Sequence, residues 1–182
     1  LIRDLANPSL GSNLITNSDF SNGNNNWSFS GGATLENGAA RINSTGGGLA
    51  VIQTGTSSTD PIGLVGTIGK VYELKYDVVA IGSSNAATHL LVEGSSSFRH
   101  GINKGIGLSS GVQLPTTSIK NNNIIYFLFT KNSNRLVIKR DGTSFGNNTD
   151  ITLDNISLKE FNVNQGLTAG FNVFSLDSVI NK

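Results

Sequence analysis

An all-β fold, a two-sheet antiparallel sandwich of jelly-roll type with short N- and C-terminal extensions, is predicted by three observations. Gly, Asn, Ser and Thr supply 82 of the 182 residues, a composition suited to short strands joined by polar turns and unsuited to helices. Apolar residues recur at alternate positions in one short segment after another, with turn residues between them. No segment carries a sustained helical period, and no internal repeat of roughly 20 to 50 residues is visible.

The elements follow in order. Residues 1–12 carry a brief apolar pattern (Leu1, Ile2, Leu5) closed by Asn7-Pro8 and then by Gly11-Ser12, which reads as an N-terminal arm or linker. From Asn13 to Phe29 a first strand, a polar loop (SNGNNN) and a second strand bearing Trp27 and Phe29 at alternate positions are expected. Further strands are expected at 39–43 after the Asn37-Gly38 turn, at 49–54, 71–80, 88–93, 124–130, 136–140 and 151–159, with Asp141-Gly142 as a hairpin turn. In 71–80 the alternation puts Tyr72, Leu74, Tyr76, Val78 and Ala80 on one face and Glu73, Lys75 and Asp77 on the other, so a strand with one wet face is predicted. Residues 124–129 are apolar on both faces, as in a covered central strand. In 151–158 the apolar parity shifts from Ile151 and Leu153 to Ile156 and Leu158, which requires one extra residue to be absorbed as a bulge near Asp154-Asn155. Residues 94–123, rich in Gly, Ser and Asn, are expected to form long loops. With weaker candidates this makes roughly eight to ten strands.

Two strings carry a family resemblance. Asn13-Leu14-Ile15-Thr16-Asn17-Ser18-Asp19-Phe20-Ser21, followed by Trp27, and the late Ile151-Thr152-Leu153-Asp154-Asn155-Ile156-Ser157-Leu158 resemble the two ends of carbohydrate-binding-module-like (galactose-binding-like) jelly rolls. Those domains run N-L-[IV]-x-N-G-[DN]-F-E, then W, and close on [IL]-D-[ND]-[IV]-[ST]-[LV]; they occur in secreted polysaccharide-degrading enzymes and in bacteriophage tail, fibre and capsid-surface proteins. The resemblance spans residues 13–161 and implies a jelly-roll domain there, with Phe20, Trp27 and Asn155 in structural roles and 162–182 left over as a C-terminal assembly tail. Ser18 stands where the family has Gly, and Ser21 where it often has Glu. In the enzyme-borne relatives that Glu and the late Asp hold a structural calcium, so the resemblance implies a calcium near Asp154 with one carboxylate missing. The other reading of Asp154 is a turn or bulge residue bonded to its own backbone. No further cofactor is expected.

The chemistry-bearing residues are sparse. Thirteen basic and twelve acidic residues are spread along the chain for a net charge of +1, which argues against a phosphate-tracking nucleic-acid surface. No apolar run approaches the ~20 residues of a membrane helix. Cysteine is absent, removing disulfides, thiolate zinc sites and thiol nucleophiles. His89 and His100 lack a metal-ligand context, the carboxylates stand singly where a glycosidase needs a pair, and the glycines of Gly105-Ile106-Gly107 and Ser109-Ser110-Gly111 lack the strand-turn-helix setting of a phosphate loop or nucleophile elbow. The N-x-S/T triplets at Asn26, Asn43, Asn147 and Asn155 are as many as chance supplies in so Asn- and Ser-rich a chain. No catalysis is expected. With Trp27 assigned to the core, Tyr126, Phe98 and Arg99 are the candidate carbohydrate contacts.

The expected function is therefore a non-enzymatic bacteriophage structural component (tail, fibre or head surface) at the virion surface. Its partners would be copies of itself, neighbouring virion proteins and a weakly held surface glycan, with neither nucleic acid nor membrane. The apolar tail (Phe171, Val173, Phe174, Leu176, Val179, Ile180) would bury itself against neighbours. The alternative is a carbohydrate-binding module of a secreted polysaccharide-degrading enzyme or cell-surface protein. A chain that begins at Leu1 and has no Met is expected to be a segment of something longer or processed.

Overall fold

A computed structural model of the chain describes residues 9–44, 50–54, 66–67, 69–83, 89–93, 102–103, 112–129, 135–140 and 148–162. These residues form strands and connecting turns without a helix: β1 (Ser9–Asn13), β2 (Trp27–Gly31), β3 (Ala33–Glu36), β4 (Ala39–Ser44), β5 (Ala50–Thr54), β6 (Val71–Ile81), β7 (His89–Glu93), β8 (Ile102–Asn103), β9 (Val112–Pro115), β10 (Lys120–Phe129), β11 (Val137–Arg140) and β12 (Thr149–Asn162). The larger sheet runs β3-β4-β12-β6-β10-β8, with β1 also on β12; the smaller runs β2-β5-β11-β7-β9. Apart from the β3–β4 hairpin, consecutive strands lie in opposite sheets, and neighbours pair antiparallel throughout. This is the predicted two-sheet sandwich, wound in jelly-roll fashion.

The two faces that meet inside are made by the predicted alternation. Tyr72, Leu74, Tyr76 and Val78 of β6, Phe127 and Phe129 of β10, and Ile151, Leu153, Ile156 and Leu158 of β12 close on Trp27, Ile52 and Ile138 of the smaller sheet, all of them buried. Phe129 stacks edge-on against both Tyr72 (5.0 Å) and Phe127 (5.6 Å). Phe20 and Trp27, each 1% exposed, pack at 5.0 Å, and the indole Nε1–H donates to the Asn17 carbonyl at 2.9 Å. Among the described non-glycine residues, Asn17, Phe20, Asn26, Asn37, Asn122 and Asn155 have positive φ. Five of these six are Asn, which tolerates the left-handed region better than most residues.

The two signature strings are hydrogen-bonded to each other. Asn13 pairs with Lys159, Leu14 N–H donates to Leu158 O (2.8 Å), and Ile156 N–H donates to Ser18 O (2.8 Å). The first string therefore lies beside the C-terminal half of β12 in the larger sheet.

Four expectations are corrected. Between Asn13 and Phe29 there is one strand, β2, and the preceding strand ends at Asn13, so the sheet takes in residues 9–12 of the segment read as an arm. Residues 94–123 include β8, β9 and the first four residues of β10, because backbone pairing to β6 carries Lys120 and Asn123 into the ladder despite their polarity. A strand at 33–36 was not expected; the Asn37-Gly38 turn, with both residues at positive φ, folds it onto β4 as a tight hairpin. The second face of β6 is wet only in part: Glu73 and Asp77 are buried by the neighbours described below, while Val79 stays exposed. The Asp141-Gly142 turn lies outside the described residues.

The bulge required by the parity shift is present. The β12–β6 register slips between Asp154 and Ser157, at Asn155 with φ 52°. The same ladder also slips between Thr152 and Leu153, passing over Val79 of β6, and a slip on β10 between Lys120 and Asn123 coincides with Asn122 at φ 57°.

Candidate functional site

The outer face of the larger sheet carries the polar side chains that alternate with the core residues. On β4, Arg41 stands directly across from Thr152 of β12, two residues along the ladder from the pair Asn43–Asp150. Its guanidinium turns onto Asp150 as a fork, Nε to Oδ1 at 2.8 Å and Nη2 to Oδ2 at 3.0 Å. Its third nitrogen, Nη1, donates to Glu36 of β3 at 3.1 Å, and Glu36 also accepts from the Thr34 hydroxyl at 2.8 Å. These bonds hold Glu36 below the usual carboxylate range, Thr34 first and Arg41 next, and they raise Arg41 further above its already high value. Asp150 is buried, and a buried carboxylate needs such a partner. Its place against the sheet depends on Gly82: a Cβ there would overlap the Asp150 carboxylate.

Glu36, Arg41, Gly82 and Asp150 border a cleft of about 510 Å³ on that face, together with Thr152, Asp154 and the apolar Val79 and Ile81. The volume lies within the ~300–1,000 Å³ usual for small-ligand sites. Val79 is 38% exposed and gives the cleft a non-polar wall. Asp154 is held above the ordinary carboxylate range by desolvation first, then by the charges of Asp77 and Asp19, against the pull of the Asn155 N–H, which donates to its Oδ1 at 2.7 Å.

Next along the same face, Asp77 sits at the centre of β6 between the two bulges. Its Oδ1 accepts the Asn122 N–H at 2.6 Å and its Oδ2 accepts Asn155 Nδ2 at 2.8 Å. Farther on, the Tyr126 hydroxyl donates to Glu73 Oε2 at 2.8 Å, and its ring meets Phe161 edge-on at 5.5 Å. Burial and then Glu73 push the Tyr126 hydroxyl up to about 12.

Of the residues singled out from sequence, Asp154 lines the cleft, Asn155 supplies the bulge beside it, and Tyr126 lies on the same face outside the cleft. Phe98 and Arg99 lie outside the described residues, as does His100; Phe20 and Trp27 are in the core. Sequence reasoning missed Arg41, Asp150, Glu36 and Gly82. The available signal was parity: Arg41 alternates with Ala40 and Ile42, and Asp150 precedes Ile151, so both had to face outward.

The fit to a calcium at Asp154 is limited. No group of three or more Asp, Glu or His side chains that could hold a metal exists among the described residues, and Asp19 is engaged by the Ser21 hydroxyl and amide. A cation there would draw its remaining oxygens from backbone and water, since Ca²⁺ takes roughly six to eight.

No family model and no curated sequence matches this chain. Among solved structures it is similar to the arabinose-bound α-L-arabinofuranosidase MgGH51, with TM-score 0.54 and 14% identity over 83% of this chain and 27% of that one. The chain therefore spans about a quarter of that protein, and the likeness is one of fold. It is also similar to variants of the family 29 carbohydrate binding module CBM29-2. One matches at TM-score 0.43 and 15% identity, over 84% of this chain and 93% of that one. Another, complexed with mannohexaose, matches at TM-score 0.38 and 13% identity, over 84% and 92%.

Proposed function

We propose that this chain is a non-catalytic carbohydrate-binding module whose glycan lies in the cleft of Arg41, Asp150, Glu36, Thr152 and Asp154. The observation that carries the reading is the Arg41 clamp on an open cleft of sugar-accommodating size. Sugar hydroxyls both donate and accept, and they are best met by donors and acceptors already fixed in place, because little ordering entropy is then lost on binding. Arg41 and its two carboxylates are such a set, and Val79 with Ile81 offers the apolar strip that a sugar's C–H face requires. The resemblance of the two signature strings points the same way.

Catalysis is left out of the proposal on the same geometry. Glu36 and Asp150 are committed to Arg41, which leaves Asp154 as the one cleft carboxylate not paired with a guanidinium, where a glycosidase needs an acid and a base together.

Titration calorimetry with a panel of plant and bacterial oligosaccharides tests the reading. At least one should bind, with affinity falling tenfold or more in Arg41→Lys, which keeps the charge and loses the fork. Absence of binding across the panel, or steady release of reducing ends, overturns it.

Where the module is carried is a second question. The bacteriophage virion remains the reading drawn from the apolar segment after Asn162, with carriage by a secreted enzyme or cell-surface protein as its rival. Self-association of the full chain separates them.

A further inference from the structure

The charges around the cleft bear on which glycans it accepts. Three carboxylates, Glu36, Asp150 and Asp154, border it with one guanidinium, Arg41, and that guanidinium is already taken up by Asp150 and Glu36. Among the described residues no cation pairs with Asp154. One of its oxygens accepts the Asn155 N–H, and the other accepts no hydrogen bond among the described residues. Asp77 faces Asp154 from the next strand and adds a like charge. The lysines of this face stand away from the cleft, Lys75 across from Ser157 and Lys159 across from Glu73.

Resting on the glycan-binding reading, we infer that the cleft is a charge sieve that accepts neutral sugars and refuses acidic ones, uronates above all, with Asp154 as the specificity-determining residue. A neutral hydroxymethyl can donate to the unbonded Asp154 oxygen. A carboxylate in its place meets a like charge in a partly desolvated site, where water screens poorly and Arg41 has no charge to spare. Discrimination of this kind comes from repulsion of the wrong ligand more than from attraction of the right one.

Calorimetry with matched hexamers of equal linkage tests this: mannose against mannuronate, glucose against glucuronate, and galactose against galacturonate. For whichever sugar binds, the neutral hexamer is expected to bind at least about tenfold tighter than its uronate, and the ratio should shrink as salt is raised. In Asp154→Asn the ratio should contract several-fold, whatever the absolute affinities become. Equal or tighter binding of a uronate, or a ratio unchanged by both salt and Asp154→Asn, overturns the sieve while leaving the glycan-binding reading intact. Should the variant fail to fold, the salt series on the native chain decides. Binding of none of the six hexamers overturns both readings together.

Discussion

Asp154 is a carboxyl kept in a place that disfavours its charge. Its folded-state pKa is raised from 3.8 by desolvation, Asp77 and Asp19, so the native state holds the proton more tightly than the unfolded chain does. Stability therefore falls as pH rises from the ordinary carboxylate value through the raised one, and the penalty is fully present at neutral pH. Asp19 and Glu36 act in the opposite sense, since their lowered values contribute stability that is lost on acidification. Asp154→Asn removes the penalty while keeping an acceptor for the Asn155 N–H. The variant is expected to melt at or above the native temperature at pH 7, with the difference vanishing near pH 3, as thermal scans at both values would show. A lower melting temperature at pH 7 that chelator abolishes would instead place a cation on this carboxylate. The carboxyl's outward placement was legible in the sequence, because it alternates with Leu153. Its environment was not, because Asp77 and Asp19 reach it only through strand pairing and the 14–26 loop.

At the scale of the element, β6 depends on Asp77 to reconcile two irregular neighbours. β10 and β12 each insert a residue against it, and each insertion is made by an Asn in the left-handed region, which spares the larger strain that a branched side chain would meet there. Both bulge residues donate to the one carboxylate. Hydrogen bonds to a charged acceptor contribute about 1.5–3 kcal/mol each, so Asp77→Ala should destabilise by about 3 kcal/mol or more in urea unfolding. Amide exchange at Asn122 should quicken more than at residues of β4. A loss under about 1 kcal/mol would show that the bulges hold themselves. The β12 bulge could be read from apolar parity, since Ile156 and Leu158 would otherwise point outward. The β10 bulge could not: Asn121-Asn122-Asn123 has no apolar residue to reveal a phase, and a polar triplet in a ladder looks like a loop. The same limit hid β8 and β9, too short for alternation to register, and β3, in which a single turn dipeptide carried the signal.

At the scale of the molecule, the question is what the chain after β12 does. Arg41 and Asp150, 109 residues apart, are joined only because the last strand pairs with an early one, so the cleft was invisible to any local pattern. The limits of the body were also misplaced by pattern alone. β12 runs to Asn162, where Asn162 pairs with Ser9 and Phe161 with Leu10, and Phe161 covers Tyr126. A chain shortened after Asn162 keeps every described bond of that strand and should unfold in the same single cooperative transition as the full chain. The remaining segment holds Phe171, Val173, Phe174, Leu176, Val179 and Ile180. Burial of four such side chains contributes roughly 6–12 kcal/mol before ordering entropy is subtracted, enough to fix a tail to a neighbouring subunit. On the virion reading the full chain should therefore self-associate in sedimentation and the chain ending at Asn162 should be monomeric, with glycan affinity per subunit unchanged because the cleft lies wholly within residues 36–154. A full chain that sediments as a monomer would remove the ground for that reading and leave the module of a secreted enzyme or cell-surface protein. A shortened chain that no longer folds would assign the tail to the sandwich itself.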